Sequence, residues 1–143
     1  MKYYFIEPEV AGGFGEETVI DRSSGRMEVK VLHYKFEGWL GDELLESTPC
    51  FIASEQLAAR IKDENLSGVG IDKVKVTKSD EFNDFHPEVE LPNFVWLKVN
   101  GVPGGDDFGV TADLKLIVSE AALQLLTLNG VSHAASITLF HER

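Results

Sequence analysis

The chain is short of cysteine, of basic charge and of long apolar runs, and each shortage removes a class of explanation. Its single cysteine, Cys50, has no partner for an internal disulfide, so the fold must rest on its core. Cys50 lies between Pro49 and Phe51 at the start of an apolar run, and burial is its expected fate. Lys and Arg total 13 against 24 Asp and Glu, a formal net charge of -11. The basic residues are scattered and mostly have acidic neighbours, whereas phosphate binding needs clustered cations that release counterions, so no nucleic-acid partner is expected. No run approaches the roughly 20 apolar residues of a bilayer-crossing helix. The opening Met1-Lys2-Tyr3-Tyr4-Phe5-Ile6-Glu7 also lacks the uncharged apolar stretch and small-residue cleavage site of a secretory signal. No membrane partner is expected, and a reducing, cytoplasmic setting fits best.

What is present is enough for a folded core: 43% apolar residues, 10% aromatics and 143 residues, the usual size of one domain. Within it one phrase occurs twice. Phe51-Ile52-Ala53-Ser54-Glu55 is followed by Leu57, Ala58 and Ile61; Leu116-Ile117-Val118-Ser119-Glu120 is followed by Ala122, Leu123 and Leu126. Each copy reads as strand, cap, helix. A serine hydroxyl accepts a hydrogen bond from a free first-turn amide, and the glutamate after it complements the helix dipole. The sequence therefore predicts one α+β domain over 1–143, a mixed sheet with two main helices from two strand-helix-strand units sharing that sheet. The second helix, apolar almost all round, is expected to be the more buried.

Between these units, Tyr3 to Ile6, Met27 to Phe36, Val74 to Val76, Phe94 to Val99 and Ala135 to Leu139 read as strands. Gly12-Gly13-Phe14-Gly15 and Asp21 to Gly25 read as turns, Glu37 to Glu46 and Gly101 to Gly109 as loops, and Lys78 to Pro92 as a long surface excursion.

None of the candidate chemistries is complete. His86-Pro87-Glu88 has the histidine–glutamate spacing of zinc-dependent nucleobase deaminases, but the paired cysteines that finish that zinc shell are missing. His33, His133 and His141 have no ligand spacing. Asp106-Asp107 in a glycine-rich loop offers oxygens to a hard cation, yet lacks the alternating acids and distal glutamate of a calcium loop. The glycines at 12, 13 and 15 precede Glu16 and Glu17, which would repel a phosphate. No serine stands in a nucleophile elbow, and capping explains Ser54 and Ser119. No catalytic residue, metal or cofactor is expected.

The acidic and aromatic loops remain. Asp80, Glu81, Asp84, Glu88 and Glu90 crowd one segment with Phe82 and Phe85 interleaved, while Trp39 lies near Asp42 and Glu43. Aromatics supply contact area and carboxylates steer a basic partner; the alternative is a solvated loop tucked down by its phenylalanines. The candidate partner-binding residues are Trp39, Asp42, Glu43, Asp80, Glu81, Asp84, Phe85, Asp106 and Asp107.

The opening Met1-Lys2-Tyr3-Tyr4-Phe5, the phrase from Phe51 to Ile61, Leu91-Pro92-Asn93-Phe94 before an apolar strand, and Leu116-Ile117-Val118-Ser119-Glu120 together resemble a small acidic family of bacterial immunity proteins from polymorphic toxin systems. That resemblance implies a cytoplasmic, non-enzymatic protein that binds and neutralises a cognate toxin, a basic protein such as a nuclease. A related immunity family carries paired C-x-x-C elements; this chain has none, so no metal is carried over. The runner-up is a small enzyme or small-ligand binder with a site assembled from Asp106, Asp107, His86 and Trp39. A third reading, a scaffold module, would require large apolar patches.

Overall fold

Ser54 and Ser119 each close a buried strand and cap a helix in the computed structural model, which describes residues 2–141. The first half of the chain contains β1 (Tyr3–Glu7), β2 (Gly12–Phe14), β3 (Val19–Asp21), β4 (Glu28–Val31), β5 (His33–Phe36), β6 (Leu44–Ser47), β7 (Cys50–Ser54), α1 (Glu55–Asp63) and β8 (Val69–Asp72). The second contains β9 (Lys75–Lys78), α2 (Asp80–Phe85), β10 (Phe94–Val99), β11 (Phe108–Val110), β12 (Leu116–Ser119), α3 (Glu120–Leu128) and β13 (Ser136–Phe140). The class is α+β, as the sequence predicts.

The two units do not share a sheet; each builds its own, in the same order. One sheet runs β6-β7-β10-β8 and the other β11-β12-β1-β13. In the first, Phe94, Val95, Trp96 and Leu97 stand opposite Ser54, Ala53, Ile52 and Phe51. In the second, Tyr3, Tyr4, Phe5 and Ile6 stand opposite Ser119, Val118, Ile117 and Leu116. The registers match residue for residue. β1, from the start of the chain, thus fills the place in the second unit that β10 fills in the first.

The main core is made of equivalent side chains brought face to face. Leu44 and Phe108, Phe51 and Leu116, Ala53 and Val118, Leu57 and Ala122, Ile61 and Leu126, and Leu97 and Ile6 hold matching positions, and all twelve belong to one buried cluster. The helix ends match too. Asn65, with φ 54°, follows α1, and Gly130, with φ 89°, follows α3. Leu66 N–H then reaches Ile61 O at 3.2 Å, and Val131 N–H reaches Leu126 O at 3.1 Å, each satisfying a carbonyl left free at the helix end.

The units differ in what covers their outer faces. A second cluster, with Tyr34, Phe36, Phe82, Leu45, Ile52, Phe94 and Trp96, packs the three-stranded sheet β2-β5-β9 and α2 against the far side of the first unit's sheet. Strand β7 of that sheet is buried on both faces. Among the described residues the far side of the second unit's sheet has no such cover: Phe5, equivalent to Trp96, is half-buried beneath Lys115 Nζ, 5.2 Å from the ring centre.

Several expectations are corrected. α3 is the less buried main helix, with only Ala122 and Leu126 fully buried and Leu128 83% exposed, because β1, β12 and α1 cover one side of it and no described element covers the other. Gly12–Phe14 is strand rather than turn; a Cβ on Gly12 would lie 1.9 Å from Lys35 O, so glycine permits the β2–β5 pairing. The segment Met27 to Phe36 breaks at buried Leu32 into β4, which pairs with β3, and β5, which pairs with β9. The loop from Glu37 to Glu46 ends in β6, whose Leu44 and Leu45 are fully buried.

The equivalence of the units has a measurable consequence. Ser54→Ala and Ser119→Ala are each expected to lower the free energy of unfolding by about 1–2 kcal/mol in urea titrations. A loss confined to one of the two would contradict it.

Candidate functional site

α2 arises from the insertion that covers the first unit, and its local sequence explains its form. Ser79, at the end of β9, caps it by accepting from Phe82 N–H at 3.1 Å. Asp80 and Glu81 occupy the first turn, where the helix dipole favours negative charge. Phe82 is fully buried against Phe36, with ring centres 6.3 Å apart, and Lys78 Nζ lies 5.3 Å from its centre. Lys78 also donates to Val89 O at 2.7 Å, tying the segment after the helix back to β9.

One aromatic anchors the helix, and the next points away from it. Phe85 is 77% exposed. Around it in sequence, Asp80, Glu81, Asp84, Glu88 and Glu90 are all exposed, and among the described residues none takes part in an ion pair. The structure therefore gathers four of the candidate contact residues, Asp80, Glu81, Asp84 and Phe85, on one short exposed element. Beside it an open groove of about 900 Å³ is lined by Asn83, Glu90, Lys78 and Lys73.

The other candidates are engaged within the fold. Glu43 and Asp107 hold equivalent places, each just before the first strand of its unit, and each accepts from a cap serine: Ser54 Oγ at 2.8 Å and Ser119 Oγ at 2.6 Å. Asp107 also accepts from Ser67 N–H at 2.8 Å, which ties the second unit to the turn after α1. Asp106 accepts from Val102 N–H at 2.7 Å and closes its own loop. Trp39 donates from Nε1 to Asp42 O at 2.9 Å and packs edge-on against Phe94. Asp42 is fully buried, which corrects its assignment as an accessible contact. Its carboxylate accepts from Ser132 N–H at 3.0 Å and His133 N–H at 2.7 Å, linking the first unit to the loop after α3.

The residues of the small-molecule reading do not meet. His86 stacks edge-on against Phe82 and Trp39 against Phe94, two rings of the second cluster, while Asp106 bonds within the loop before β11 and Asp107 bonds to Ser67 and Ser119.

Two residues with chemistry lie outside the sequence candidates: Glu9, which the sequence does not single out, and His133, which shows no ligand spacing. Glu9 is buried and accepts from Leu40 N–H at 2.6 Å and Asp42 N–H at 3.2 Å. His133 Nδ1 lies 2.8 Å from Asp42 Oδ1. Glu9, Asp42 and His133 come from three distant segments, so no spacing could announce them. A cleft of about 540 Å³ beside them is lined by Glu7, Glu9, Glu46, Thr48, Lys115 and His133.

Desolvation raises the pKa of the buried Cys50 thiol and of the half-buried Glu46 carboxyl. Burial pushes the Cys50 thiol up to about 11, which removes it as a nucleophile near neutral pH. Burial also holds the Glu46 carboxyl above its ordinary 4.5; the Thr48 hydroxyl opposes this and the charge of Glu7 reinforces it. A carboxyl raised on folding favours the folded state while protonated, and that contribution is lost as pH rises through the folded value. Glu46→Gln is therefore expected to raise the urea midpoint at pH 7, with the gain vanishing below pH 4.5. An equal gain at both pH values would show that charge is not its source.

No helix among the described residues is long and apolar enough to cross a membrane. No protein-family model matches the chain, and no curated protein or solved structure shows a significant match to it.

Proposed function

We propose that this chain is a non-enzymatic, cytoplasmic binding protein of the immunity type, which occupies a cognate basic protein toxin through the α2 face. The observation that carries the reading is Phe85, 77% exposed at the end of a capped helix and flanked by carboxylates that, among the described residues, meet no cation in an ion pair. An aromatic ring held in water gains most when a partner covers it, and interface energy concentrates on such anchors. Unpaired carboxylates around it attract a basic surface and speed encounter. The net charge of -11 extends the same field over the whole molecule. The scaffold supports the role mechanically, since buried Phe82 and the Lys78–Val89 bond hold the helix in place before any partner arrives.

The test is co-expression with toxin-like products of neighbouring genes, scored by growth and by co-purification. One such product should be bound and neutralised. Phe85→Ala should weaken that complex by roughly 10- to 100-fold without moving the urea midpoint. Replacing Asp80, Glu81 and Asp84 with amides should slow association and flatten its dependence on salt. If no neighbouring product is bound or neutralised, the proposal fails.

A further inference from the structure

We propose that Glu9, Asp42 and His133 form a binding site for a divalent transition-metal ion of the zinc class. One donor atom from each lies within 4.8 Å of the other two. A tetrahedral zinc ion places its ligands about 3.4 Å apart, so closure requires only small side-chain movements. Two carboxylate oxygens and one imidazole nitrogen form a borderline donor set, which suits zinc-class ions better than calcium or magnesium, for which all-oxygen shells are usual.

Charge supplies an independent argument. Glu9 is 6% exposed and Asp42 0%, yet among the described residues neither meets a lysine or arginine, and the imidazole of His133, 2.8 Å from Asp42 Oδ1, is the one basic side chain beside them. Two carboxylates in so buried a place are costly to hold without a compensating cation. The backbone amides of Leu40, Asp42, Ser132 and His133 offset part of that cost as dipoles, but they bring no net charge. A divalent ion would balance both carboxylates.

The site has supporting partners and an approach. Amides orient Glu9 from Leu40 and Asp42 and orient Asp42 from Ser132 and His133, which is how outer contacts fix ligands in metal centres. His133 and Glu9 border the cleft of about 540 Å³, so the ion has an aqueous route and room for a water as its remaining ligand. Bound there, the ion would clasp three segments: the exit of β1, the entry to β6 and the loop after α3. The proposal is independent of the α2 face and of any partner.

Titration of the chelator-treated full chain with zinc chloride tests it, by calorimetry and by thermal unfolding. The expected result is one zinc ion per chain with a Kd below about 10 µM and a rise in Tm, since a ligand that binds only the folded state stabilises it. His133→Ala should weaken zinc binding at least about tenfold, whereas His86→Ala should not change it, and magnesium chloride should not shift Tm. Zinc uptake equal in wild type and His133→Ala, or no uptake by wild type at about 100 µM, would overturn the proposal. Should His133→Ala fail to fold, cobalt(II) in the wild-type protein decides: strong visible bands of a four-coordinate ion support the site, and the weak bands of a solvated ion refute it.

Discussion

The hydroxyl of a cap serine, bonded on one side to a helix amide and on the other to a carboxylate, is the interaction on which the fold turns. Ser54 accepts from Leu57 N–H and donates to Glu43; Ser119 accepts from Ala122 N–H and donates to Asp107. Each therefore fixes three things at once: where a strand stops, where a helix starts, and where the neighbouring strand begins. Neither serine is exposed, so an unpaired hydroxyl or carboxylate at this point would be costly. Because the device occurs twice with matched register, the two helices meet across a core of equivalent side chains.

Near-symmetry of the core contrasts with asymmetry of the surface. Insertions after β1 and β8 wrap the first unit, bury the far side of its sheet and carry α2 outward on Phe82. The acidic helix rests on a scaffold that does not need its outer residues. The paired acids Asp42–Glu43 and Asp106–Asp107 serve a different purpose, holding loops and caps, with Asp42 and Asp107 each reaching into the other unit.

The duplicated phrase was legible because capping and helical periodicity are local properties. The rest of the duplication was hidden by chain order, since β1 completes the second unit from the opposite end of the sequence. The apolar character of α3 suggested deep burial, but burial depends on what the fold places opposite, and only one side meets β1, β12 and α1. α2 carried its own signal, Ser79 followed by Asp80 and Glu81, yet its length and acidity read as loop. Four of the nine candidate contact residues lie on that helix. Glu9 gave no signal and His133 no ligand spacing, because the contacts that bring them to Asp42 are wholly tertiary.

The central claim is that α2, rather than the loops of paired aspartates, meets the partner. Amide hydrogen exchange on the complex, compared with the free protein, reads that directly. The account predicts slowed exchange from Asp80 to Glu90 and unchanged exchange from Gly101 to Gly109, whose carboxylates are already bonded. Protection confined to the second unit, with α2 exchanging as in the free chain, would contradict it.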